Sequence, residues 1–254
     1  MVGRAGISRT GGPGTPGSRS SRLGMLKHIG IVAVSAEGAA LCYRTICAEG
    51  ARRFGLHRHP EVSVHTFPLA EYLREIEADR WEKVGELLLD SAAKLERAGA
   101  ELLICSANTA HQGLDLVRDL SPLPWLHIAE EVGQVAVDRR CHRLLILGTR
   151  FLMEGGVYTS KLHPRGVETV VPSPHNRARV NAFIFDELIY GELKESTRAA
   201  FGDVIADGQR HGCDAVVLGC TEIPLLIDDS SSPLPTLDST RILARAALRE
   251  AGRT

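Results

Sequence analysis

The chain repeats itself at long range, and that repeat limits its fold more than any other feature. Written without a gap, GAELLICSANT (99–109) lies over GCDAVVLGCTE (212–222) at an offset of 113. HIGIVAVS, starting at His28, lies over HRLLILGT, starting at His142, at an offset of 114. Two separate segments with nearly one offset predict a duplicated unit, hence two similar lobes with a cleft between them.

Within each unit, short β-branched runs alternate with longer helical stretches. Strands are expected at 29–34, 62–67, 101–105, 125–128, 144–147, 167–171, 215–218 and 234–236. Helices are expected over 80–98, 176–190 and 195–211, each followed by a glycine (Gly99, Gly191, Gly212) at the capping position. This alternation predicts an α/β fold of two pseudo-symmetric lobes, each a mainly parallel sheet flanked by helices, with the active site in the cleft between them. The expected division is 27–125 plus 228–254 for lobe 1 and 126–227 for lobe 2. Residues 1–26 are rich in Gly, Pro, Ser and Arg, contain no acidic residue, and are expected to be a disordered N-terminal tail. They lack the apolar core of a secretory signal, and their glycines and prolines disfavour a transit-peptide helix. Met25 is an alternative start.

Composition excludes several partners. The formal net charge of −1 in 254 residues, with no block of like charges, argues against nucleic acid. No apolar run approaches the roughly 18 residues of a membrane span. Six cysteines without a Cys-x-x-Cys pair read as reduced thiols in a cytoplasmic protein. The HRHP segment (57–60) has no partner at metal-ligand spacing and reads as a solvated loop, so no metal is expected. No Gly-x-Gly-x-x-Gly or P-loop supports a nucleotide.

Parallel α/β sheets bind ligands beyond the carboxyl ends of their strands. Four loops are therefore expected to line the cleft: 35–38, 106–111, 149–156 and 220–224. Each opens a helix with small polar residues, an arrangement that favours a carboxylate or phosphate. Cys220 is the strongest candidate for chemistry. Pro224 places it at a helix start, where the dipole is expected to lower its thiol pKa toward neutrality. The repeat lays Ala107 directly over Cys220, and a methyl group transfers no protons. Cys105, two strand positions upstream, lies about 6.6 Å deeper. His111 is either an auxiliary proton carrier or a helix-start residue that orients its loop. Arg44 and Arg150 either face the cleft or lie on the surface.

In order and spacing, ICSANTAH, LGTRFLMEGGVY, LGCTEIPLL and PLPTLDST resemble the aspartate/glutamate racemase family, which also contains hydantoin racemases, maleate isomerases and arylmalonate decarboxylases. The similarity runs from about residue 28 to 250. It implies a cofactor-independent enzyme acting on a small carboxylate or amino acid, with homodimers common. Two cysteines on opposite faces of the substrate would exchange the α-proton. Cys220 matches the second cysteine, Asn108 and Thr109 the first carboxylate clamp, and Thr221 the second. Ser35, Thr149 and Glu222, on the same set of loops, are expected to complete the binding set. Ala107 stands where the first cysteine belongs. Two further departures are Ala33-Val34-Ser35 in place of a Gly-Gly pair and Tyr190 in place of a lysine, which puts an acidic side-chain preference in doubt. Three functions remain open: a racemase working from one cysteine, a one-cysteine decarboxylase or lyase of the arylmalonate type, and a non-catalytic carboxylate-binding homologue.

Overall fold

The computed structural model describes residues 26–253, so the expected tail, Leu26 apart, lies outside the described residues. The strands form two four-stranded parallel sheets. The first contains β1 (Ile29–Ala33), β2 (Val62–Thr66), β3 (Leu102–Ile104) and β4 (Trp125–Leu126) in the order β2-β1-β3-β4. The second contains β5 (Arg143–Leu147), β6 (Glu168–Val170), β7 (Ala215–Leu218) and β8 (Thr236–Asp238) in the order β6-β5-β7-β8. The internal repeat thus reappears as one topology used twice.

Helices cover both sheets. They are α1 (Ala36–Phe54), α2 (Leu69–Glu77), α3 (Trp81–Arg97), α4 (His111–Val117), α5 (Ile128–Asp138), α6 (Arg150–Glu154), α7 (Val157–Leu162), α8 (Pro174–Asp186), α9 (Glu195–Arg210) and α10 (Ser239–Ala251). Because both faces of a central strand are covered, β1 and β7 are buried along their whole length. The faces are sorted by alternation. Ile29, Ile31 and Ala33 of β1 pack with Cys42, Ile46 and Leu243, whereas Val32 and Val34 pack with Val84 and Leu88. In β7, Val216 and Leu218 face Phe201 and Ile205, while Ala215 and Val217 face Val132 and Tyr158. Gly99, Gly191 and Gly212 follow their helices with φ of 94°, 75° and 84°, a region that glycine enters without steric cost.

The structure corrects the expected division at two points, and the smaller is Leu126, expected in lobe 2 but paired with Ile104 in the first sheet. Residues 228–238 are expected in lobe 1, but β8 pairs with β7 in the second sheet, with Val216 opposite Thr236. The chain returns after β7 so that β8 lies beside it, and the Val216 N–H donates to the Pro235 carbonyl (3.0 Å). Only α10 returns to the first lobe. Its Leu243, Ala244, Ala247, Leu248 and Ala251 form an apolar stripe buried with residues of α1 and β1.

The pairing register also tests the gapless repeat. Leu103 N–H donates to the carbonyl of Pro124 just as Val216 does to Pro235, which supports the 113-residue offset for β3 and β7. In the first sheet Ile29 pairs with Leu102, so a strict repeat would pair Arg143 with Ala215; the structure pairs Leu144 with Ala215. The repeat is therefore one residue out on β5. It regains step at the next loop, where Ser35 and Thr149 cap α1 and α6 equivalently. Among the described residues no helix is long and apolar enough to cross a membrane.

Candidate active site

All four predicted loops meet at the carboxyl ends of the strands, around a cavity of about 110 Å³ between the lobes. Ser35, Ala107, Asn108, Thr109, Thr149, Cys220, Thr221 and Glu222 all line it. Ser35 accepts from the Gly38 N–H (3.3 Å) and Thr149 from the Leu152 N–H (3.4 Å), so each cap fixes its own loop. Two hydroxyl pairs then bridge the lobes. Ser35 Oγ lies 3.3 Å from Thr221 Oγ1, and Thr109 Oγ1 lies 3.0 Å from Thr149 Oγ1. The first contact needs Gly38, since a Cβ there would fall 2.5 Å from Thr221 Cγ2 and 2.8 Å from Ser106 Oγ.

The thiol of Cys220 donates to Glu222 Oε2 at 2.8 Å. This overturns the expectation of a thiol drawn toward neutrality. Burial and then the adjacent Glu222 carboxylate push the Cys220 pKa well above the ordinary thiol range, outweighing backbone N–H donors that act the other way. The helix expected to supply a dipole is a single 3-10 turn over Ile223–Leu225, too short to compete. Cys220 is therefore a protonated donor in contact with the Glu222 carboxylate.

Asn108 lines the cavity, and its side chain also reaches across to the second lobe. Its Oδ1 accepts from the Tyr158 hydroxyl (2.6 Å) and its Nδ2 donates to Ser239 Oγ (3.0 Å), and Ser239 in turn donates to the Leu218 carbonyl (2.9 Å). The side-chain amide thus ties the first lobe's loop to the second sheet. Its neighbour Thr109 keeps its hydroxyl at the cavity.

His111 does not line the cavity. It is fully buried, outside the cavity lining, and its Nε2 is bonded to the Cys105 carbonyl (2.9 Å). Burial and the neighbouring His127 ring, 4.3 Å away, hold its pKa well below the usual imidazole value. A neutral, buried histidine at a helix start fits the loop-orienting reading. Cys105 is strand core, also outside the lining, with burial pushing its thiol up to about 12. Arg44 and Arg150 are exposed and neither lines the cavity; the Arg150 guanidinium stacks 4.9 Å from the centroid of the Phe151 ring. No group of three or more metal-ligating side chains occurs among the described residues.

Sequence reasoning missed two parts of this cavity. Ser106 lines it with a buried hydroxyl that has no hydrogen-bond partner among the described residues. The polar exit of β3 signalled that residue, but nothing separated it from its neighbours. The second part is an apolar wall made by α2, the end of α8 and the 3-10 turn Leu188–Tyr190 that follows it, with Leu69, Leu73 and Ile76 on one side and Ile184, Phe185 and Ile189 on the other. The helical spacing of 69, 73 and 76 was legible, yet such a stripe ordinarily means core.

The Asp/Glu/Hydantoin racemase family model matches residues 29–247, both sheets included. The chain belongs to this family. Among its relatives, the broad specificity amino-acid racemase RacX of Bacillus subtilis is 25% identical over 191 residues, 75% of this chain and 81% of that one. A Yersinia pestis structure provisionally assigned as an Asp/Glu racemase is 30% identical, with a TM-score of 0.82 over 90% of this chain and all (100%) of that one. An aspartate racemase homologue from Pyrococcus horikoshii is also 30% identical, with a TM-score of 0.78 over 90% of this chain and 100% of its own. The racemase family's two-lobed fold is thus the fold seen here.

Proposed function

We propose that this protein is a cofactor-independent amino-acid racemase of the aspartate/glutamate racemase type, which moves the proton on the carbon next to a carboxylate. The observation that carries the reading is the Cys220–Glu222 hydrogen bond at the wall of the interlobe cavity, in a member of an amino-acid racemase family. Of the lining residues, Cys220 and Glu222 alone carry a thiol or carboxyl group. Glu222 takes the thiol proton, the thiolate removes the α-proton, and the developing negative charge spreads onto the substrate carboxylate. Hydroxyls of Ser35, Thr109, Thr149 and Thr221 are close enough to the cavity to stabilise it there. Ala107 leaves the opposite face without a protein proton carrier, so return of a proton to that face falls to water.

This arrangement has a stereochemical consequence. A proton returned by Cys220 restores the starting enantiomer, and only delivery from the Ala107 side inverts it. The test is α-deuterium incorporation in D2O, followed by NMR and chiral chromatography, for the wild type and for Cys220→Ala. Exchange that disappears in the variant supports the proposal. Exchange that persists in Cys220→Ala removes the cysteine from it.

A second reading, a decarboxylase that needs one proton donor, is favoured by the protonated state of the Cys220 thiol and the methyl of Ala107 at the repeat-equivalent position. Release of carbon dioxide from a phenylmalonate, without amino-acid exchange, would select it.

A further inference from the structure

We infer that the cavity takes an amino acid with an uncharged, apolar side chain rather than an acidic one. The inference rests on the reading that this cavity is the substrate site. Its two ends differ in chemistry. The strand-end loops supply hydroxyls and the Cys220–Glu222 pair, whereas α2, the α8 end and the 3-10 turn after it supply Leu69, Leu73, Ile76, Ile184, Phe185 and Ile189. One wall comes from each lobe, so a side chain extending from the polar end lies between two apolar surfaces.

No arginine, lysine or histidine is among the lining residues. The lining charge is Glu222, which has the same sign as an aspartate or glutamate side chain. A second carboxylate bound here would leave water without a cation to pair with and with a carboxylate nearby, an arrangement that costs more than an apolar group of the same size. Leu69 and Ile189 are each 39% exposed at this cleft, so an apolar substrate would remove from water surface that the empty protein leaves wetted. Each methylene so covered raises affinity about fourfold.

Matched ligands separate this inference from the one beneath it. Titration calorimetry would compare 4-methylpentanoate with glutarate, and α-deuterium exchange would compare leucine and phenylalanine with aspartate and glutamate. We expect 4-methylpentanoate to bind at least tenfold more tightly than glutarate, and leucine or phenylalanine to exchange at least tenfold faster than either acidic amino acid. Leu69→Arg, at a partly exposed position, should reverse the binding order. Equal or tighter glutarate binding, or faster exchange of glutamate, overturns the inference and leaves the racemase proposal standing. Preferential 4-methylpentanoate binding without any exchange supports the apolar site and removes the racemase proposal. Failure of every carboxylate to bind at millimolar concentration overturns both.

Discussion

Thr109 of the first lobe and Thr149 of the second meet hydroxyl to hydroxyl at 3.0 Å, and Ser35 and Thr221 meet at 3.3 Å from the opposite lobes. The polar end of the cavity is thus assembled from both lobes, and its geometry depends on how they are joined. Residues that join them should matter as much as those that touch a ligand.

Tyr158→Phe tests the join directly. It deletes the 2.6 Å bond to Asn108 Oδ1 and leaves that buried acceptor unpaired. A loss of about 1–3 kcal/mol is expected in urea unfolding. Weaker binding of carboxylates should accompany it, because Asn108 adjoins Thr109.

Gly38→Ala tests the closeness of the lobes. The added Cβ would lie 2.5 Å from Thr221 Cγ2, so either α1 or the Thr221 loop must move. Overpacking of this kind costs about 1–3 kcal/mol. The variant should unfold at lower denaturant and bind carboxylate more weakly than a control substitution at an exposed position of α1.

The Cys220–Glu222 bond makes a prediction about reactivity. Burial and the Glu222 carboxylate both raise the thiol's pKa, so wild-type Cys220 should alkylate slowly with iodoacetamide until the pH exceeds the ordinary thiol range. Glu222→Gln removes the charge and should move that profile about one pH unit or more toward neutrality. Peptide-level mass spectrometry reads Cys220 apart from the other five cysteines. An unmoved profile would show that Glu222 does not control the thiol.

Asp115 gives the acid side of stability. Burial pushes its carboxyl up, but His127 and Lys161 outweigh burial and hold it at about 2, below the ordinary value of 3.8. A depressed pKa stabilises the folded state fully above the unfolded value, and that contribution is lost as the pH falls from about 3.8 toward about 2. The melting temperature of Asp115→Asn should therefore lie below wild type at neutral pH and converge with it in strong acid.

How much of this was legible in the sequence can be judged from single residues. Cys220, Thr221, Thr109 and Thr149 could be placed at the cavity because a strand ending in small polar residues has one place to open in a parallel sheet. The offset of the repeat set Ala107 against Cys220 for the same reason. His111 could not be placed, because a histidine beginning a helix looks alike in sequence whether its ring turns to the cleft or, as here, to the Cys105 carbonyl.

The sequence by itself determined the two lobes, their parallel strands and the residue types at the strand ends, since periodicity and helix caps are local and survive without tertiary contacts. Tertiary structure alone decided the state of those residues. A thiol's pKa depends on what is buried beside it, and Glu222 rather than a helix dipole lies beside Cys220. Likewise an apolar stripe on α2 becomes a cavity wall only because α8 of the other lobe stands across from it with a gap between, a long-range distance that no spacing along the chain records.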